Sequence, residues 1–144
     1  MEGRDPGPSP PSRLVLNLRF IVAFFHAAVL EFNRVAYFSA PLPPQGRRAV
    51  ERILDLALVV HECEGNHSLS RMAWAIFMAG VEAWDRVHQN WLMERLQGLS
   101  VYGKNMARAH RLLEAIVRQQ RNVPGRVDYF KWFRNGDFEQ FVIV

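Results

Sequence analysis

The chain has 144 residues, 49% of them hydrophobic, with a formal charge of +4 and one cysteine, Cys63. That length suits one domain with a buried core. A single thiol excludes an intrachain disulfide and any multi-cysteine zinc site built from this chain alone, and it suits a reducing compartment. The basic excess is uneven: residues 1–46 sum to +1, 47–100 to −1 and 101–144 to +4.

Residues 1–12 hold Pro6, Pro8, Pro10 and Pro11 and predict a disordered lead-in, leaving 13–144 as a single helical domain. The start lacks the apolar core of a secretory signal. From Arg13 to Phe38 the pattern is helical and apolar on most sides. Its longest run without a formal charge, Phe20–Leu30, is eleven residues. A membrane span needs roughly twenty, so a buried helix is expected and no membrane partner.

Pro41, Pro43 and Pro44 predict a linker over residues 39–46. A second helix is expected over about 47–64, with Val50, Ile53, Leu54, Ala57, Leu58 and His61 on one side. Gly65 and Asn66 should stop it. Ser68 is the expected cap of a third helix running to Trp84, the most apolar in the chain and therefore central. Gly80 within it costs about 1 kcal/mol relative to Ala, which a closely crossing helix would justify. Asp85 should cap a fourth helix reaching Leu99, with Val87, Trp91, Leu92 and Leu96 inward. A fifth runs from about Asn105 to Arg121. It places Met106, Ala109, Leu112, Leu113, Ile116 and Val117 in one arc and Arg108, Arg111, Arg118 and Arg121 opposite. A short helix over 127–134 and an extended tail complete the expectation: an all-α bundle of about five to six helices.

The chemistry-bearing residues are few. His61, Cys63 and His67 lack the paired spacing of a structural zinc site. No nucleophile setting or phosphate loop appears, so neither an enzyme, a cofactor nor a metal is expected. The Arg108, Arg111, Arg118 and Arg121 stripe is a candidate basic contact face, weighed against a simple solvated face. Tyr129, Phe130, Trp132 and Phe133 form an aromatic cluster, either a contact surface or closure of the core.

Several blocks in order carry a resemblance: Phe25-His26-Ala27-Ala28-Val29-Leu30; Trp74-Ala75-Ile76-Phe77-Met78-Ala79-Gly80-Val81-Glu82-Ala83; Trp91-Leu92-Met93-Glu94-Arg95-Leu96-Gln97-Gly98-Leu99; Gly103-Lys104-Asn105-Met106-Ala107-Arg108-Ala109; and Leu112 to Val117. Together they resemble the C-terminal part of the fungal-specific transcription factor domain of zinc-cluster factors, over about residues 20–135 and most strongly over 72–117. The resemblance implies a helical regulatory domain acting in the nucleus, with the cytoplasm as the other location. Such domains usually follow a six-cysteine binuclear zinc cluster, which one cysteine does not build. The chain is also shorter than the usual domain, and Val117-Arg118-Gln119 stands where a late Trp is common. Sequence-specific DNA binding therefore does not carry over. The expectation is a truncated family member, or a genuine short protein, that works through protein contacts. Its expected partners are full-length zinc-cluster transcription factors or further copies of itself, because the first and third helices would partly lack cover. The alternative is a helical adaptor with no role in transcription.

Overall fold

The computed structural model describes residues 12–37, 40–122, 126–129 and 131–132. These residues form α1 (Arg13–Ala36), α2 (Pro44–Leu69), α3 (Ala73–Glu82), α4 (Arg86–Gly98) and α5 (Lys104–Asn122). The class is all-α, as expected. The lead-in, the extended tail and most of the short helix expected near 127–134 lie outside the described residues.

The boundaries follow from local chemistry. Ser12 starts α1, its Oγ accepting from the Val15 N–H at 3.3 Å. The expected linker is shorter than the prolines suggested, because Pro44 takes the first position of α2. A first-turn N–H has no helical acceptor, so proline loses nothing there. Asp85 caps α4 as expected, accepting from the Val87 N–H at 2.9 Å.

The main correction lies just after Gly65. Its dihedrals, φ +74° and ψ −166°, break the helix there as expected, but no loop follows, and a second helical stretch runs on to Leu69. Ser68 therefore lies inside the short helical stretch after Gly65, not at its start. A 3-10 turn over Ser70–Met72 leads straight into α3. With no loop between α2 and α3, the described residues form four helical stretches separated by non-helical residues, not five to six. A left-handed glycine redirects a helix without a connector when the residues after it resume helical dihedrals.

The two apolar helices meet different fates. In α3, nine of ten residues are buried, and it packs against α1, α2, α4 and α5. On α1 the core side is Phe20, Ala23, Ala27 and Leu30, packed on α2 and α3. On α5 the expected inner arc holds: Ala109, Leu112, Leu113, Ile116 and Val117 are buried. On α4, Leu92 and Leu96 face inward. Val87, expected with them, is 73% exposed. The inward row of α4 runs through 89, 92 and 96, so polar Gln89 takes the place assigned to Val87. Leu58 of α2, also expected inside, is 44% exposed, while Val60 is buried.

Gly80 faces α5. A Cβ there would lie 2.7 Å from Leu113 Cδ2, well inside van der Waals contact. The close crossing inferred from the sequence is therefore the α3–α5 contact. The carbonyls ending α3 are met by side chains: Gln89 Nε2 donates to Gly80 O at 3.0 Å and Ala83 O at 3.3 Å. Gln120 Nε2 donates to Val81 O at 3.2 Å. These are the acceptors that a helix end leaves without partners.

A buried ion cluster joins three parts of the chain. Arg34 near the end of α1 and Glu82 at the end of α3 are both almost wholly buried. Arg34 Nε donates to Glu82 Oε1 at 2.6 Å and Arg34 Nη1 to Val127 O at 2.6 Å. Arg126, beyond α5, donates to the same Glu82 oxygen at 2.6 Å. Its Nη1 also reaches Tyr37 O and Ala40 O at 3.4 and 3.3 Å. Tyr129 closes the cluster. The Arg34 guanidinium lies 5.2 Å from its ring centroid, and Phe77 meets the ring edge to face. Burial pushes the Tyr129 hydroxyl up to about 12, outweighing the opposing pull of Arg34.

Three outcomes follow. Gly80→Leu forces Leu113 from its place and should destabilise the fold by about 1–3 kcal/mol, read as a lower urea midpoint. Glu82→Gln leaves two guanidiniums facing each other without a counter-charge and should lose about 3–5 kcal/mol in the same measurement. Tyr129 stays protonated in the folded chain at pH values where the unfolded chain has lost that proton. Stability should therefore fall as pH rises from about 10 to about 12, at up to about 1.4 kcal/mol per unit. Denaturation at pH 9 and 11.5 checks this, and Tyr129→Phe should remove that component.

Candidate interaction surface

The outer side of α1 is apolar and open. Leu14, Leu18, Ile21, Phe25, Phe32 and Val35 are each more than half exposed, Phe25 and Phe32 both at 64%. With exposed Ala28 they fall at steps of four, three, four, three, four and three residues. That is a 3.5-residue repeat, the seam of a coiled coil. The core side of the same helix is a second apolar face, so α1 is apolar on two sides. The ion cluster fixes which side looks out, because Arg34 is anchored inward. Among the described residues α1 is also the one helix long and apolar enough to cross a membrane by length and composition. Its inner face is occupied by α2 and α3. His26, at the edge, is held below its ordinary 6.5 by partial burial and then by the charge of Arg52 on α2.

A small groove opens between α2 and the start of α4, with a volume of about 230 Å³. Val50, Leu54, Ala83 and Trp84 form its apolar part, and Glu51, Asp55 and Asp85 its acidic rim. Arg47 stands over the Trp84 ring at 5.5 Å, and His88 Nδ1 lies 2.8 Å from Asp85 Oδ2. The space is below the roughly 300 Å³ at which ligand pockets begin. No motif announced it, because its walls come from distant parts of the sequence.

The residues singled out from the sequence land as follows. Arg111, Arg118 and Arg121 lie on the outer side of α5, with Arg108 less exposed. Arg118 and Arg121 are engaged within the chain. Arg118 pairs with Glu114 at 3.0 Å. Arg121 donates to Gln89 Oε1 at 3.1 Å and Asn90 Oδ1 at 3.0 Å. Tyr129 is buried and Trp132 packs against the core, while Phe130 and Phe133 lie outside the described residues. His61 sits between Arg95, 2.8 Å from its Nε2, and the edge of Trp91. Cys63 is exposed. Among the described residues no three of His, Cys, Asp and Glu converge as metal ligands.

The Glu82 cluster and the regular stripe on α1 were both missed in the sequence. Glu82 is a lone acid in the most apolar helix, and no local pattern pairs it with Arg34 or Arg126. The stripe was hidden because α1 carries apolar residues on nearly every side, so neither face stood out.

No curated protein and no solved structure matches the chain. The family model for the fungal specific transcription factor domain matches residues 2–141, a longer stretch than the blocks legible by eye. That family is one of transcription factor domains, not of enzymes. With the match running over nearly its whole length, the chain belongs to the fungal specific transcription factor domain family.

Proposed function

We propose that the chain is a regulatory domain that influences transcription in the nucleus by binding other proteins, without reading DNA itself. Family membership supports a transcription-regulator-like role. The observation that carries the protein-contact reading is the outer face of α1, a continuous row of large apolar side chains left open along one helix. Open apolar patches of this size mark contact surfaces. The basic side of α5 is the weaker candidate, since Arg118 and Arg121 are already engaged within the chain. A single cysteine gives this chain no means of building the six-cysteine cluster.

The test is a tethered reporter. The chain is fused to an unrelated DNA-binding domain and transcription is measured from a promoter carrying that domain's site. Reporter output should change several-fold in either direction relative to the DNA-binding domain alone, and the untethered chain should accumulate in the nucleus. Unchanged output together with cytoplasmic confinement would overturn the reading in favour of an adaptor outside transcription.

A further inference from the structure

We infer that the open face of α1 pairs with the same face of a second copy of this chain, the two helices lying antiparallel. The inference takes protein contact from the proposed function and names the partner. Three observations carry it. First, the stripe keeps a strict three-four spacing from Leu14 to Val35 along a helix of 24 residues. Such a row fits another helix through knobs and holes. It does not fit an extended segment, whose side chains repeat every two residues and whose backbone groups would be left without partners. The apolar residues 138–144 of this chain are β-prone and so are a poorer occupant.

Second, the area is sufficient. Six large side chains, each more than half exposed, offer on the order of 700 Å², close to the roughly 800 Å² that each partner gives to a stable interface. Val15 and Val22 widen the strip along one edge.

Third, the order of sizes is complementary when the helix meets its own reverse. An antiparallel pair with its two-fold axis between positions 26 and 27 sets Phe25 against the partner's Ala28, Ile21 against the partner's Phe32, and Leu18 against the partner's Val35. Each layer then has mixed sizes. A parallel pair in register would instead stack Phe25 on itself and leave Ala28 facing Ala28, alternating crowding with a gap. The two-fold arrangement uses one patch twice, as symmetric dimers do.

The experiment is the solution mass of the full chain by light scattering, from about 1 to 100 µM. The expected result is a species of twice 16.7 kDa. Phe25→Glu/Phe32→Glu should give a monomer with unchanged helix content, because both side chains are exposed in the single chain. In a Cys63→Ser background, Leu18→Cys/Val35→Cys should form an interchain disulfide on oxidation, and neither single variant should. A full chain that stays monomeric at all these concentrations overturns the pairing. So does a dimer that survives Phe25→Glu/Phe32→Glu, or a monomer that floats with phosphatidylcholine vesicles. Crosslinking of Leu18→Cys alone overturns the antiparallel arrangement. Mass does not depend on transcription: a silent reporter and cytoplasmic confinement with an intact dimer sink only the proposed function, and an active monomer sinks only the pairing.

Discussion

One carboxylate oxygen holds two guanidiniums inside this protein. Glu82 Oε1 accepts from both Arg34 and Arg126 at 2.6 Å, and little water reaches any of the three. Removing charges from water is costly, so the arrangement persists only where geometry and further acceptors compensate. Those acceptors are backbone carbonyls. Val127 O takes an Arg34 N–H, and Tyr37 O and Ala40 O take those of Arg126. The cluster thereby ties the end of α1 to the end of α3 and to the strand of chain beyond α5. An apolar contact would tolerate rotation of α1 about its axis. A directional ion cluster does not.

That constraint explains why α1 has an inside and an outside at all. Composition gives it apolar residues all round, and hydrophobic burial alone would be nearly indifferent to which side turned in. With Arg34 committed to Glu82, Phe20, Ala23, Ala27 and Leu30 turn inward. The regular row of Leu, Ile and Phe is then presented outward.

The helical class and most of α5 were legible in the sequence, because its two-sided pattern is strong and local. The Asp85 cap was legible for the same reason: the acceptor and the N–H it meets lie two residues apart. The close approach at Gly80 could be anticipated because a glycine in mid-helix has a known cost that needs a return. What failed was local chemistry with a tertiary outcome. Gly65 breaks its helix as its backbone freedom suggests, but the loop expected after it is missing because helix resumes at once. Pro44 looked like a breaker and proved to be a first-turn residue. Val87 lost its inward place to Gln89, whose amide meets two carbonyls at the end of α3 that no apolar side chain would satisfy. Of the candidate contact residues, the α5 arginines were found on the face expected, but the apolar row on α1 needed the three-dimensional position of Arg34 to be seen.

Gly80 and Leu113 share one volume across the α3–α5 crossing. Neither residue owns that space. A larger residue at 80 requires a smaller one at 113, and a smaller one at 113 leaves a hole unless 80 grows. The two positions are thus free to vary only as a pair, although 33 residues separate them in sequence. Chains that keep this crossing while drifting elsewhere should carry the mark of that exchange, with bulk moving from one helix to the other and the sum held nearly constant.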